Sequence, residues 1–161
     1  MLTQDHILAL LQNVKDPEVP VISVLELGVV RHVYVEPDGK AVVTITPTYT
    51  GCPAMDVMAA DIKKELLDHG VPAVEVKQSL APAWTTDWIT EPGKAKLRAY
   101  GIAPPEKTGD IRALKGELPV VPCPQCGSTN TVMLSVFGST ACKALWKCND
   151  CLEPFDQFKC L

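Results

Sequence analysis

The chain has 161 residues, 47% apolar and 21% charged, enough for one ordinary domain or a modest domain with a small satellite. That composition excludes disorder, collagen and coiled coil. With 15 Lys and Arg against 19 Asp and Glu, the formal charge is −4, and neither part of the chain is basic: 12 basic and 15 acidic groups precede residue 116, and 3 and 4 follow it. The attraction to phosphate that dominates nucleic-acid affinity is therefore missing.

Thr3 caps a predicted helix over 4–14, with Ile7, Leu8, Leu11 and Val14 as its apolar stripe. Asp16-Pro17-Glu18-Val19-Pro20 is expected to be extended, because each proline removes a donor and restrains the residue before it. Ser23–Gly28 reads as a short helical turn ending at glycine. The β-branched runs 29–35 and 40–46, joined by Pro37-Asp38-Gly39, read as a hairpin. A helix over 53–69 follows, with Pro53 at its start, Gly70 past its end and Met55, Met58, Ile62 and Leu66 on its buried side. A strand over 73–80 completes a small α/β (α+β) unit of helices packed on a sheet.

The stretch 81–102 carries Trp84, Trp88 and a short helix over 91–100 between Thr90 and Gly101, while 103–118 has no periodicity and reads as a linker. The expected organisation is a first domain over 1–102 (core 3–80, tryptophan extension 81–102), the linker, and a cysteine-rich domain over 119–161. No apolar run approaches the ~18 residues of a membrane span, and Met1–His6 lacks the basic start of a secretory signal. A cytoplasmic, reducing setting is expected, in which cysteines are metal ligands or reactive thiols rather than disulfides.

Six of the seven cysteines fall in the last 39 residues. Cys123, Cys126, Cys148 and Cys151 form C-x2-C-x21-C-x2-C, in which each two-residue spacing aims a pair of sulfurs at one ion. Gly127 permits the positive φ such a knuckle needs. The 21 residues between suit a hairpin, 131–137 and 141–147 around Gly138-Ser139-Thr140, which makes a zinc ribbon with a closed, structural zinc. Cys142 and Cys160 are surplus; they are buried or idle thiols, or one joins an alternative ligand set for an iron–sulfur cluster.

Cys52 stands alone in the first domain, at the expected N-cap of the 53–69 helix, where free N–H groups and the helix dipole stabilise an anion. Thr46, Thr48, Tyr49 and Thr50 put hydroxyls nearby. Two readings stay open, a functional thiol or a small residue packed under the sheet. His6, His32 and His69 are scattered, so a Cys–His catalytic pair is weakly supported.

These residues resemble a known family. Asp16-Pro17-Glu18 with Pro20, Ser23–Gly28, and Thr46 through Cys52-Pro53 are similar to the iron–sulfur assembly domain family, formerly a domain of unknown function, over about residues 3–80. The resemblance implies that Cys52 is the functional residue of a factor that assists iron–sulfur protein maturation. The whole chain resembles one subgroup, the D-subunit family of the bacterial phenylacetyl-CoA epoxidase system, through Phe137–Ala144, Glu153–Lys159, Trp84, Trp88 and the added ribbon. That implies an accessory, non-catalytic protein of aerobic phenylacetate catabolism. Its partners would be the reductase and oxygenase subunits, whose iron–sulfur cluster or di-iron site it would mature.

On this reading Cys52, with Asp16, Glu18 and Thr50 as supporting candidates, transiently holds iron or a cluster; the other reading of Asp16 and Glu18 is as turn residues with no ligand role. Because one thiolate cannot complete a four-ligand site, a homo-dimer or a client residue is expected to supply the rest. The alternative is a structural subunit of the oxygenase complex that docks through the ribbon and Trp84/Trp88. A thiol-dependent enzyme using Cys52 ranks third.

Overall fold

The computed structural model describes residues 1–105 and 120–159. Contacts divide the chain into two compact units. The first comprises Met1–Trp84 and Trp88–Gly93; the second comprises Thr85–Asp87 and the described residues from Lys94 onward. Among the described residues no helix is long and apolar enough to cross a membrane.

In the first unit, α1 (Gln4–Leu11) starts at Thr3, whose hydroxyl accepts the His6 N–H at 3.2 Å. It is shorter than the periodicity suggests, and its buried face uses Leu10 with Ile7 and Leu11, while Leu8 is half-buried. The strands β1 (Val30–Val35) and β2 (Ala41–Ile45) pair antiparallel across the Gly39 turn. The helix α2 (Ala54–Asp68) then carries the chain to β3 (Val74–Gln78), which pairs parallel to β2. The sheet order is β1-β2-β3. The central strand β2 buries Ala41, Val43 and Ile45, and Met55, Met58, Ile62 and Leu66 are buried on α2 as the spacing requires.

The Asp16–Pro20 segment is not extended. Asp16 Oδ1 accepts the N–H groups of Glu18 and Val19 at 2.6 and 2.9 Å, folding the chain into a turn closed by a bridge between Lys15 and Ser23. The carboxylate outweighs the preference for extended backbone by collecting N–H groups that would otherwise lie buried without partners. The following turn is as expected and better anchored. Ser23 Oγ accepts the Glu26 N–H at 3.1 Å, and Glu26 Oε2 accepts the Ser23 N–H at 2.9 Å, a capping box in which both residues are buried. The turn ends at Gly28, with φ +77°.

Trp84 is a core residue rather than a docking anchor. It is buried, and its indole N–H donates to Leu27 O at 3.0 Å. Trp88 is half-buried beneath the Arg31 guanidinium, 3.5 Å from its ring centroid. A Cβ on Gly28 would lie 2.5 Å from Trp88 O and 2.6 Å from Trp88 Cβ, so this close approach needs glycine on steric as well as conformational grounds.

The helix α3 (Glu91–Ala99) begins at Thr90, whose hydroxyl accepts the Gly93 N–H at 3.2 Å. It leads into β4 (Ile102–Ala103), and the second unit's sheet follows the order β4-β7-β6-β5. Its other strands are β5 (Thr131–Ser135), β6 (Lys143–Cys148) and β7 (Pro154–Phe158). The hairpin β5–β6 matches expectation, but β7 and β4 flank it as well, and β4 runs parallel to β7. Ala103 therefore lies in a strand, not a linker, because it packs with Val121, Ala144, Trp146 and Phe155 in one core. Residues 106–118 of the expected linker and Cys160 lie outside the described residues.

Candidate functional site

In the second unit the chain bends sharply after each cysteine pair. Gly127 follows Cys126 with φ +76°, and Leu152 occupies the same place after Cys151 with φ +66°. The knuckles thus share a backbone design, although only one of them uses glycine. The Gln125 N–H points at Cys123 Sγ (3.4 Å) and the Cys151 N–H at Cys148 Sγ (3.5 Å). Between the knuckles, the Asp150 carboxylate accepts hydrogen bonds from the Ser128 hydroxyl and from Asn130 Nδ2, and so fixes the two loops together.

These devices bring the sulfurs of Cys123, Cys126, Cys148 and Cys151 within 4.8 Å of one another. The cross-knuckle pairs Cys123–Cys151 and Cys126–Cys148 are 3.7 and 3.6 Å apart. A disulfide needs ~2.05 Å, whereas a tetrahedron with metal–sulfur bonds of ~2.3 Å has edges of ~3.8 Å. The four residues fit a metal ion. The Cys151 N–H, and after it the Asp150 N–H, hold the Cys148 thiol down to about 7 against desolvation. The Cys151 thiol is pushed up to about 12: the Glu153 N–H opposes the rise, but desolvation and the other three thiols outweigh it. Four thiols this close resist joint ionisation, and a cation at their centre removes the conflict. The cluster is a four-cysteine metal-binding site.

Cys142 is not one of its members. It is buried just before β6, with its sulfur 3.1 Å from Thr140 Oγ1. The loop that precedes β6, 136–142, is fastened to β7 by Asp156, which accepts a hydrogen bond from Ser139 Oγ at 3.2 Å. Asp156 Oδ1 would stand 2.5 Å from any Cβ on Gly138.

In the first unit Cys52 sits on the connection from β2 to α2. The structure moves it one residue upstream of its expected position: Pro53 is the N-cap, with helical dihedrals (φ −67°, ψ −22°) and no side-chain cap. Proline's ring sets that φ and draws residue 53 into the helical path. Cys52 instead closes a turn, donating its N–H to Tyr49 O and accepting the Met55 N–H, both at 3.2 Å. It is buried, between exposed Gly51 and Pro53. Thr46, at the start of the same connection, is buried, and among the described residues its hydroxyl has no hydrogen-bond partner.

Of the supporting candidates, Thr50 is exposed on the Cys52 turn and Glu18 is half-buried. The buried Asp16 carboxylate caps its own turn and lines a groove of about 350 Å³ with Asn13, Lys15, Asp61, Lys64 and Glu65. The reciprocal Ser23–Glu26 bonds were legible as a Ser-x-x-Glu signature but are absent from the expected site.

The fold and its thiols define a small α+β domain and a ribbon that carries a four-cysteine metal-binding site. Residues 4–78 match the family model of an iron–sulfur cluster assembly protein, and residues 107–159 match that of the PaaD zinc beta ribbon domain. The D subunit of the "Putative 1,2-phenylacetyl-CoA epoxidase" of Escherichia coli (strain K12) is 46% identical over 156 residues, covering 97% of this chain and 92% of its own. The chain belongs to that family of D subunits. An "Fe-S protein maturation auxiliary factor" of Porphyromonas gingivalis is 34% identical over 96 residues, covering 59% of this chain and 90% of its own. A crystal structure of the domain of unknown function DUF59 from Bacillus anthracis superposes with a TM-score of 0.55 at 30% identity, covering 58% of this chain and 90% of that one.

Proposed function

We propose that this chain is an accessory factor that matures a metal centre in the subunits of a phenylacetyl-CoA epoxidase system, with Cys52 as its working thiol. The observation that carries this is a buried thiol on a tight turn, on the same short connection as the unpartnered Thr46 hydroxyl, within the part that matches the iron–sulfur assembly family. A buried polar group without a partner is costly and persists where a ligand completes it. Thr50 lies on the same turn and supports the thiol. Asp16 and Glu18 enter as builders of their own turn, since Asp16 already collects two N–H groups.

The ribbon is assigned a structural zinc held by Cys123, Cys126, Cys148 and Cys151. The 3.6–3.7 Å sulfur separations support one ion, because a multinuclear cluster would place its thiolates on different irons and hold them farther apart. Four protein ligands leave no open position for a reacting water, so the zinc supplies folding energy rather than catalysis. The clients in this reading are the reductase's iron–sulfur cluster and the oxygenase's di-iron site. The rival reading, a stoichiometric structural subunit, loses the Trp84 half of its docking surface, because that ring is buried.

The test is to co-express the partner subunits with wild type or with Cys52→Ser, isolate them without oxygen, and measure iron and acid-labile sulfide in the partners. The expected outcome is lower occupancy with the variant, while the variant itself keeps one zinc per chain and its fold. Unchanged occupancy overturns the proposal.

A further inference from the structure

The four ligand cysteines of the ribbon do not meet solvent equally. Cys123 and Cys148 are buried, at 2% and 0% exposure, and Cys151 is half-buried, whereas Cys126 is exposed between exposed Gln125 and Gly127. Of the six cysteines described it is the only exposed one, since Cys52 and Cys142 are buried as well. A metal-bound thiolate retains a lone pair able to attack an electrophile, and access to solvent decides which of several thiolates is oxidised first. Cys148 Sγ lies 3.6 Å from Cys126 Sγ across the two knuckles, so an oxidised Cys126 has a second sulfur within reach.

We propose that the ribbon is a peroxide-sensitive switch: oxidation enters at Cys126, is resolved by Cys148 as a disulfide, and expels the metal ion. The inference rests on the structural zinc assigned above and not on the role given to Cys52. In the first step the Cys126 sulfur attacks one oxygen of hydrogen peroxide. The S–O bond forms, the O–O bond breaks and hydroxide leaves, so sulfur gives up the two electrons that peroxide gains. In the second step the Cys148 thiolate attacks the sulfur of the Cys126 sulfenic acid. The S–S bond forms and the S–O bond breaks as a second hydroxide leaves; two protons from solvent turn both hydroxides into water. Cys123 and Cys151 are then left as two ligands where a closed site needs four, and the ion departs. Cys123 and Cys148 also belong to the unit's apolar core, so the event reaches past the knuckles into the packing around Trp146 and Phe155.

The test uses the full chain, reduced, with its metal content measured first. Hydrogen peroxide is added in steps, a chromophoric chelator follows zinc release, and alkylation with peptide mass spectrometry maps the sulfurs. The disulfide that forms as zinc leaves should join Cys126 to Cys148, while Cys52 and Cys142 stay alkylatable after denaturation. Dithiothreitol with added zinc should restore the metal-bound chain. Cys126→His keeps four ligands but removes the exposed sulfur, and should slow release about tenfold; Cys151→His, which leaves Cys126 in place, should release at the wild-type rate. Where a histidine variant does not hold metal, the wild-type mapping alone decides. A reduced wild-type chain without metal overturns the zinc assignment and this proposal with it. A metal-bound chain overturns this proposal alone if its zinc leaves without Cys126 in the disulfide, or stays after Cys126 is oxidised, or leaves metal-bound Cys126→His as fast as wild type.

Discussion

In the second unit four sulfurs from two knuckles, 22 or more residues apart in sequence, converge within 4.8 Å. In the first unit Cys52 closes a turn by itself, between Gly51 and Pro53. The ribbon's thiols are braced by backbone N–H groups and the Asp150 carboxylate, and they complete one another's coordination. Cys52 has no companion thiol in its unit and can finish a site only with groups that arrive from elsewhere. A saturated set of ligands builds a fold; an unsaturated one is suited to transfer. With Cys52 as the working thiol proposed above, cysteine number is a poor guide to where the chemistry lies.

The largest expected effect tests whether metal matters to one unit alone. Structural zinc contributes an apparent ~10–16 kcal/mol in zinc-finger peptides, comparable to the whole stability of an ordinary domain, about 5–15 kcal/mol. Chelation, or Cys123→Ser, should abolish amide-exchange protection in β5, β6 and β7 while leaving β2 and α2 protected. Surviving protection in the ribbon would break the comparison. Because every ligand must lose its proton to bind, acidification should release the ion, and a chromophoric chelator would follow that release.

The first unit should instead fail where backbone fit is lost. Gly28→Ala meets Trp88 at 2.5 Å and φ +77° at once, and should cost roughly 2–4 kcal/mol in denaturant unfolding without changing metal content. Ser23→Ala removes half the capping box and should cost about 1–2 kcal/mol. In the opposite direction, Leu152→Gly relieves a left-handed residue and should stabilise the metal-bound ribbon by about 1 kcal/mol, read as a higher thermal midpoint for that unit. Comparably small, Cys52→Ser should cost about 1–2 kcal/mol, because it buries a hydroxyl where a thiol was while leaving the backbone bonds of the turn in place. A large loss would make Cys52 a packing residue and erase the contrast between the two units.

The features carried by local spacing were legible in the sequence: the four ligands, the β1–β2 hairpin, the buried face of α2, and glycines 28, 39, 70 and 101 at positive φ. The misreadings have two physical causes, local capping that competes with backbone preference and groups brought together from far apart in sequence. A turn role for Asp16 and Glu18 was readable beside Pro17, but that Asp16 would collect two N–H groups and override the extended preference of the prolines was not. The strand β4 is two residues long and exists only because β7 lies alongside it. Whether Trp84 is surface or core depends on Leu27 O, which accepts its indole N–H from 57 residues away in sequence. Cys52 is displaced from the cap by one residue because proline, which begins helices well, also carries helical dihedrals into the cap.

The stretch 79–106 is matched by neither family model, yet it is not filler. It supplies Trp84 and Trp88 to the first unit and the outer strand β4 to the second. A chain divided at the family boundaries would leave Gly28 facing an open slot and β7 as a raw edge. Each unit in that sense takes part of its own fold from this stretch. A truncated ribbon or a truncated assembly domain made for study should therefore carry these residues with it, or be expected to aggregate for reasons unrelated to its thiols.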